Sequence, residues 1–439
     1  MKKQMMFATA LMALVSEAAV TITGVSACQR WPWNSLVDVD FTIGGAAVGE
    51  RFLAEITAEC ADGDKKLAAT MYVNEPIAQS GANRVTWAMG VDYPNFRAED
   101  LRVSVSVRPF TAETRLHLVI DLSNGKDAVT YPVYYTTAPL PHVQGGMDET
   151  CQTTQLWLRR VPAAGRVFSS GYSTPTESNS TWWWKLTKDF YIGVFETTQQ
   201  QWFQMTGKWP SCMSNLTYRA SRPLDKYDPT LLFKTICTWS EENQTIAADS
   251  LLQKLRDRTG LAKLNLPTET QWQFAACGGT MTTPESACGN VSVYNGYTRA
   301  EVARYGMSSD DYEDGLCGTN SGSACVGSYK PNAYGLYDMI GNVFEDCLES
   351  FLPAATLSTY YAERGAKDAT TPLTDSQGIP IDTIKALHEK GNQRMIKRGG
   401  SYGSTAGYNT LWSRYEGYLN YANDGTYKSR GFRFCVTCD

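Results

Sequence analysis

Residues 326–351 read VGSYKPNAYGLYDMIGNVFEDCLESF, and this stretch is the most informative part of the 439-residue chain. It joins a loop, two turns and an aromatic run in one short unit. Two carboxylates, Asp338 and Glu345, stand at the ends of the turn DMIGNVFE. From these residues alone, we would interpret both acids as groups that cap the turn.

Four further segments accompany this stretch in a definite order along the chain. They are FYIGVFETTQQQW (190–202), LPTETQWQFAA (266–276), RGGSY (398–402) and RGFRF (430–434). Any one of them would be a weak signal, because short motifs often occur by chance. Taken together and in this order, the five segments resemble the formylglycine-generating enzyme family, also called the sulfatase-modifying factors. The resemblance covers residues 151–439.

The resemblance implies an α+β, C-type-lectin-like fold with low regular secondary structure for residues 151–439. The residues themselves predict three helices in this region. Two begin at capping boxes that start with Thr198 and Thr268, where a Gln three residues later can reach back to the cap. The third covers 249–259 and ends at Gly260. Elsewhere the region is rich in Gly, Asn, Ser and aromatic residues, with little clean periodicity.

The preceding region, residues 20–138, is predicted to be a separate β domain. Apolar and polar residues alternate with a period of two at 37–43, 103–107 and 116–120, which is typical of strands with one buried face. Turn residues separate these runs. Short strands at this spacing predict an antiparallel β-sandwich of immunoglobulin-like architecture. Residues 139–150 are rich in Pro and Gly and form the predicted linker.

The bulk composition favours an ordinary globular protein, with 43% hydrophobic residues and a net charge of −5. No strongly basic patch is present, so we expect no nucleic-acid partner. Lys2 and Lys3 precede an 11-residue apolar stretch, which predicts a signal peptide at 1–18. No later apolar run is long enough to span a bilayer. We therefore expect a secreted or cell-surface protein without a transmembrane segment.

Export would place the twelve cysteines in an oxidising environment, which favours disulfides. Cys28 and Cys60 are the only two in the N-terminal region and could pair with each other. Cys317 and Cys325 flank a loop that a bridge would close easily. Spacing alone does not determine connectivity.

Calcium is a cofactor that the family resemblance implies. Calcium takes roughly six to eight oxygen ligands, and a turn with an acid at each end can supply several of them. Carried over to this sequence, the ligands would be the side chains of Asp338 and Glu345 and the carbonyl groups of Gly341 and Val343. We expect calcium to be structural here.

Active family members oxidise a sulfatase cysteine to formylglycine with molecular oxygen, and they bind copper(I) through two cysteines that follow RGGS. In this chain Ser404 and Asn409 stand at those two spacings, and no cysteine occurs between Cys347 and Cys435. Copper(I) is soft and prefers sulfur ligands. The sequence therefore predicts that no copper is bound and that the oxidase reaction is lost.

An iron site held by histidines is also not expected. The chain has three histidines, His117, His142 and His388, and the first two precede the matched region. His117 lies between Leu116 and Leu118, so the alternation predicts a structural histidine that faces solvent or a neighbouring group and has its hydrogen bonds satisfied.

The segment after RGGS is rich in Tyr, Asn, Gly and Ser, which is the composition of binding loops. We predict a ligand-binding surface here, with an unknown protein or glycan as its partner, although part of these aromatic residues could instead form the domain core. Its predicted members are Ser401, Tyr402, Ser404, Tyr408, Asn409, Trp412, Tyr415 and Tyr418.

Three functions remain open from the sequence. The favoured one is a secreted binding module that keeps the family fold without the copper site. The alternatives are an oxygen-dependent oxidoreductase with a divergent active site and a purely structural cell-surface component.

Overall fold

The structure is a computed structural model that divides into two compact units, Met1–Thr114 and Arg115–Asp439. It describes residues 20–30, 34–60, 65–96, 101–141, 146, 149–174, 177–209, 211, 213, 217–233, 246–278, 296–307, 322–350, 370, 372–374, 394–411, 414–418 and 429–439. The predicted signal peptide, Cys317, His142 and His388 lie outside these residues. The described part of the chain is mostly β-sheet with few helices, and none of its helices is long and apolar enough to cross a bilayer.

The first unit consists of β-strands and the short helix α1 (Met89–Asp92). Its strands are β1 (Thr21–Gln29), β2 (Val37–Gly44), β3 (Phe52–Cys60), β4 (Lys66–Ala68), β5 (Met71–Tyr72), β6 (Ile77–Ala78), β7 (Gly81–Trp87) and β8 (Leu101–Pro109). One group has the order β1-β2-β7-β5, and in the other β3 pairs with β4, β6 and β8. The strand pairs β1–β2, β2–β7, β5–β7, β3–β4, β3–β6 and β3–β8 are antiparallel.

The alternation predicted for the first unit is confirmed in β2. Its apolar residues Val37, Val39, Phe41 and Ile43 are buried, and none of the polar residues between them is. Because successive side chains of a strand point to opposite faces, this pattern leaves one face of β2 in the core.

The second unit combines short helices with several small sheets. Its helices are α2 (Thr150–Thr153), α3 (Gln199–Thr206), α4 (Pro229–Phe233), α5 (Leu251–Thr259), α6 (Glu269–Ala276) and α7 (Arg299–Val302), with a 3-10 turn at Ala406–Tyr408. Its strands are β9 (His117–Asp121), β10 (Val133–Thr136), β11 (Gln155–Val161), β12 (Val167–Thr174), β13 (Glu177–Lys185), β14 (Phe190–Gly193), β15 (Leu264–Asn265), β16 (Phe344–Ser350), β17 (Leu373–Thr374), β18 (Arg394–Arg398), β19 (Arg414–Tyr418), β20 (Arg430–Gly431) and β21 (Cys435–Thr437).

Three strand orders describe the second unit. They are β10-β9-β11-β14-β21-β15, β12-β13-β17 and β19-β18-β16-β20. β9 pairs with both β10 and β11, so residues 115–138 belong to the second unit. The predicted linker at 139–150 therefore lies inside that unit. Local Pro and Gly content could not reveal this, because the boundary depends on which strands pair.

The predicted helix starts are confirmed. In α3 the hydroxyl of Thr198 accepts a hydrogen bond from the amide of Gln201 at 3.2 Å, and in α6 Thr268 accepts from Gln271 at 3.0 Å. α5 ends at Gly260, whose φ of 72° is the left-handed conformation that glycine adopts easily. A large apolar core then packs around α6, with Trp272 and Phe274 among its members.

His117 follows one of the two orientations that the sequence predicts. It is buried on β9, with its ring 5.4 Å from that of Trp157, so it faces a neighbour rather than solvent. Four of the five residues of β9 are buried, so both faces of the strand are covered. Its Nδ1 atom has no hydrogen-bond partner among the described residues, so the predicted satisfaction of its hydrogen bonds is not seen there.

The cysteines follow the predicted pairing only in part. Cys28 and Cys60 are both free thiols, so the pairing considered for them does not occur. Cys325 forms a disulfide.

Candidate functional site

The turn from Asp338 to Glu345 is held by backbone conformations that few residues adopt. Asp338 and Asn342 have φ of 56° and 57°, in the left-handed region that asparagine and aspartate tolerate best among residues other than glycine. Gly341 has φ of 80°, and a Cβ there would lie 2.2 Å from the carbonyl oxygen of Arg304. Only glycine fits this position, because the neighbouring backbone leaves no room for a side chain.

Asn342 connects this turn to distant parts of the chain. Its Oδ1 accepts a hydrogen bond from the amide of Ala324 at 2.9 Å, and its Nδ2 donates to Oε2 of Glu196 at 2.6 Å. The amide of Val343 donates to Oε1 of Glu196 at 3.0 Å. Glu196 therefore accepts at both oxygens and ties the turn to the start of α3.

A buried ion pair lies at the end of the turn. Arg433 donates through Nε to Oε2 of Glu345 at 2.6 Å and through Nη2 to Oε1 at 2.5 Å. The indole nitrogen of Trp272 donates to Oε2 of Glu345 at 2.8 Å. Arg433 also donates to the carbonyl oxygens of Gly193 and Tyr337 at 2.9 and 3.0 Å. Both oxygens of Glu345 are thus engaged.

Three buried carboxylates share this single guanidinium. Burial, with Asp338 and Glu345 nearby, raises the pKa of Glu196 well above its usual value. Burial also raises the pKa of Asp338 to about 6, although the amide of Gly327 donates to its Oδ2 at 2.7 Å and opposes the shift. Uncompensated negative charge in a buried site is costly, so this cluster favours a bound proton or cation.

The four residues predicted to bind calcium fit that ion unevenly. Asp338 fits it, because its Oδ1 is buried and accepts no hydrogen bond from the described part of the chain. Glu345 fits it poorly, since Arg433 and Trp272 engage both of its oxygens and a guanidinium repels a nearby cation. No cluster of three or more His, Cys, Asp or Glu side chains suited to a metal ion occurs in the described ranges. The set Asp338, Gly341, Val343 and Glu345 is therefore incomplete in this arrangement.

The loop after RGGS is closed by Asn409. This side chain is 0% exposed, and its Nδ2 donates to the carbonyl oxygens of Ser404 and Thr405 at 2.9 and 3.1 Å. Its Oδ1 has no hydrogen-bond partner among the described residues. A Cβ added to Gly400 would lie only 2.2 Å from this oxygen. The hydroxyl groups of Ser401 and Ser404 are 3.2 Å apart. Ser404 and Asn409 therefore brace the loop itself.

The residues predicted to form a ligand-binding surface separate into two groups. Ser401, Tyr402 and Asn409 are buried, so they do not contribute to an exposed surface in this conformation. Tyr408 is 39% exposed, whereas Ser404 and Tyr415 are half-buried. Trp412 and the side chain of Tyr418 lie outside the described residues.

The accessible tyrosines are held in place by each other and by the core. The hydroxyl of Tyr415 donates to the carbonyl oxygen of Tyr408 at 2.6 Å, and the two rings are 6.2 Å apart. The ring of Tyr415 meets that of Phe344 edge-on at 4.8 Å. Rigid aromatic rings lose little conformational entropy when they bind, which suits a recognition surface.

A second ionic group fixes the RGGS segment to α6. Arg398 and Arg414 both reach Oε1 of Glu269, at 2.7 and 2.8 Å. Burial acts to raise the pKa of Glu269, but the two arginines outweigh it and hold that pKa below its usual value. Glu269 is therefore ionised and anchors the start of the loop.

Sequence reasoning included Glu196, Trp272 and Arg433 in quoted motifs without assigning them a role. A charged residue inside an apolar motif, as in VFET and GFRF, was the available signal. Nothing in the sequence paired Arg433 with Glu345, because the two residues are 88 positions apart.

Comparison with known proteins identifies one family and several partial relatives. The profile of a family described as "Sulfatase-modifying factor enzyme 1-like domain" matches residues 168–437. The chaperone protein LppX of Paenibacillus barcinonensis is 26% identical over 224 residues, which are 43% of this chain and 70% of that protein. The formylglycine-generating enzyme of Streptomyces coelicolor is 33% identical over 138 residues, which are 31% of this chain and 35% of the enzyme. The formylglycine-generating enzyme of Thermomonospora curvata is 38% identical over 85 residues, 19% of this chain and 26% of the enzyme.

Among solved structures, Treponema denticola variable protein 1 aligns over 66% of this chain and 98% of its own, with 20% identity and a TM-score of 0.40. PvdO from Pseudomonas aeruginosa aligns over 68% of this chain and 100% of its own, with 17% identity and a TM-score of 0.40. The alignments to the two formylglycine-generating enzymes span about a third of one and about a quarter of the other.

Proposed function

The chain belongs to the sulfatase-modifying factor family, and on that premise we propose that it is a secreted binding protein that lacks the copper-dependent oxidase reaction. In this proposal the family fold is kept as a scaffold. The loop after RGGS, which in active members provides the copper ligands, serves instead as part of a surface that recognises a protein or a glycan.

The observation that carries the proposal is the role of Asn409. Its amide closes the loop through Ser404 and Thr405, so a structural side chain stands where the family pattern has a copper-binding thiol. An amide and a hydroxyl are poor ligands for copper(I), which prefers thiolates. Cys347 and Cys435 are both buried in the core around α6, so a copper titration also tests whether these two thiols bind copper.

A copper titration tests the loss of the reaction. The full-length protein is mixed with copper(I) under a competing chelator, and oxygen consumption is followed with a cysteine-containing peptide. We expect neither stoichiometric copper nor turnover. Stoichiometric copper together with turnover would overturn the proposal and support the alternative, an oxygen-dependent oxidoreductase with a divergent site. The double variant Ser404→Cys/Asn409→Cys serves as a comparison for copper affinity.

The proposed recognition surface consists of Ser404, Tyr408 and Tyr415. Exposed and half-buried tyrosines are typical of interfaces, because each combines a large apolar ring with a hydroxyl group. Partners captured from the native environment, or glycans retained on an array, would be compared between the wild type and Tyr408→Ala. Tyr134→Ala, at a half-buried tyrosine of β10, is the matched control. Equal binding by all three proteins would refute this surface.

Calcium remains part of the proposal, centred on Asp338. Its buried oxygen without a hydrogen-bond partner supports a cation there, and such a cation would neutralise the carboxylates and fix the turn. Calorimetric titration with calcium chloride should give a saturable signal that Asp338→Asn removes. If calcium gives no heat and a chelator leaves the melting temperature unchanged, calcium does not bind at Asp338. The Glu345–Arg433 ion pair would then hold the turn without a metal ion.

We also propose that residues 1–18 direct export and that the first unit is an immunoglobulin-like sandwich. The two strand groups of that unit support the second point, since both are antiparallel and β2 buries one face. Mass spectrometry of the mature protein tests the first. A mature chain that still begins at Met1 would contradict export through this segment.

A further inference from the structure

A cavity of about 700 Å³ lies in the first unit, outside the residues that match the family. It is bordered by the end of β1, the region of α1 and the start of β8. Its volume falls within the range of roughly 300 to 1,000 Å³ that is typical of small-molecule sites. A ligand of one or two sugar rings in size can therefore enter it.

Two partly exposed aromatic rings, those of Tyr93 and Phe96, line the cavity, and the buried Trp87 lies beside them. The rings of Trp87 and Tyr93 are 6.1 Å apart and nearly perpendicular, and Tyr93 lies 6.4 Å from Phe96. Their polar atoms are already engaged: the indole nitrogen of Trp87 donates to Asp92 at 2.7 Å, and the hydroxyl of Tyr93 bonds to the backbone of Ala68. Trp87 is 0% exposed, so the aromatic surface that a ligand meets is that of Tyr93 and Phe96, which are partly exposed.

The polar groups of the cavity are uncharged and available. Gln29, Ser35 and Asn95 line it, and their side chains make no hydrogen bond to the described part of the protein. Among the described residues that line the cavity, none has a carboxylate, an ammonium, a guanidinium or an imidazole side chain. A neutral ligand with hydroxyl groups would find both donors and acceptors in these amide and hydroxyl groups.

Backbone conformation gives a further sign of a site. Ser35 and Asn95 have φ of 62° and 63°, and they belong to the small set of described residues other than glycine with positive φ. The same set contains Asp338 and Asn342 from the buried carboxylate turn. A Cβ on Gly90 would lie 2.5 Å from Cβ of Ser35, so the rim is closely packed at this point. Such outliers concentrate at ligand sites, where packing holds them in place.

We propose that this cavity binds a neutral carbohydrate. The rings of Tyr93 and Phe96 pack against the apolar face of a sugar ring, and the amides of Gln29 and Asn95 bind its hydroxyl groups. This site is independent of the proposed surface around Tyr408, because no residue is shared between them. The proposal for either site can therefore be refuted without affecting the proposal for the other.

Two free cysteines of the first unit provide a direct readout. Cys28 lines the cavity and is exposed, whereas Cys60 is half-buried and does not line it. The full-length protein is alkylated with iodoacetamide in the presence of millimolar glucose, galactose, mannose, N-acetylglucosamine, cellobiose or maltose, and each thiol is followed by peptide mass spectrometry. We expect at least one sugar to slow alkylation of Cys28 several-fold and to leave Cys60 unchanged.

Variants identify the groups that bind the sugar. Gln29→Ala removes one amide, and Asn95→Gly removes the other while still allowing positive φ. Each should weaken protection of Cys28 about tenfold, the effect of losing one good hydrogen bond. Gln79→Ala, at an exposed glutamine that does not line the cavity, is the matched control and should protect like the wild type.

Several outcomes would overturn the proposal. One is a full panel in which no sugar slows Cys28, or in which Cys28 and Cys60 are slowed equally. Another is protection by decanoate alone, which would show an apolar occupant. Unchanged sugar protection in both Gln29→Ala and Asn95→Gly, with wild-type melting temperatures, would place the sugar elsewhere. Tyr408→Ala should leave Cys28 protection unchanged, which separates this result from the fate of the binding surface.

Discussion

Removal of the guanidinium of Arg433 should destabilise the second unit more than any change to a surface charge. Arg433 is 0% exposed and makes two hydrogen bonds to Glu345 as well as bonds to the carbonyl oxygens of Gly193 and Tyr337. Arg433→Met keeps an apolar chain in the core and removes all of these bonds. Glu345 then stays buried near two other carboxylates, Glu196 and Asp338, without its counter-ion.

The expected loss follows from this geometry. Removing one partner of a buried ion pair lowers the free energy of unfolding by about 3–5 kcal/mol, because the remaining charge is left without a counter-ion. Single domains are stable by only about 5–15 kcal/mol, so the variant should unfold at markedly lower urea concentration. The double variant Glu345→Gln/Arg433→Met removes both charges and should recover about 1 kcal/mol or more.

Urea unfolding followed by tryptophan fluorescence measures these differences. Lys263→Met is the matched control, because Lys263 pairs with Asp439 at 2.6 Å while the two side chains are 43% and 99% exposed. Exposed pairs contribute about 0–1 kcal/mol, so this control should unfold almost like the wild type. The reasoning is wrong if Arg433→Met loses no more than the control, or if the double variant is less stable than Arg433→Met.

Three further predictions concern stability. Burial, with Arg159 and Arg115 nearby, lowers the pKa of His117 to about 3, so between that value and about 6.5 the unfolded state binds a proton that the folded state does not. The free energy of unfolding should therefore fall by about 1.4 kcal/mol per pH unit as the pH drops below about 6.5. His117→Gln should flatten this pH dependence in melting scans. Equal dependence of stability on pH in the wild type and the variant would contradict the prediction. Gly400→Ala would place a Cβ 2.2 Å from Oδ1 of Asn409 at a φ of 78°, and it should lower the free energy of unfolding by more than about 1 kcal/mol. Gly403→Ala, which has open space around it, should be nearly neutral. Similar melting temperatures for the two variants would argue against the closed loop. Thr268→Ala removes the hydroxyl that caps α6 and should cost about 1 kcal/mol, while Thr268→Ser should restore most of it in the same melting assay.

Local features of the fold were predictable from the residues that form them. The capping boxes at Thr198 and Thr268 depend on a side chain and a backbone amide three positions apart, so sequence spacing contains the whole interaction. The alternation in β2 is equally local, because successive side chains of a strand point to opposite faces. For His117 the same rule left solvent and a neighbouring group as alternatives, and the structure decides for the neighbour because both faces of β9 are covered.

The candidate site was predictable only in its motifs. The sequence identified the turn from Asp338 to Glu345 and the loop after RGGS, and it placed Ser404 and Asn409 at the positions where copper ligands stand in the family pattern. It could not show that Asn409 is buried and closes the loop, nor that Arg433 engages both oxygens of Glu345. These contacts change which residues are available to a metal ion or a ligand.

The sequence by itself therefore determined the family, the helix starts and the absence of thiols after RGGS, because each is a matter of residue identity at short spacing. The tertiary structure alone decided where the two units divide, which charges meet in the core and which tyrosines reach the surface. Those outcomes depend on burial and on contacts between residues far apart in the chain. Desolvation and Coulomb energies are set by three-dimensional distance, which spacing along the chain does not specify.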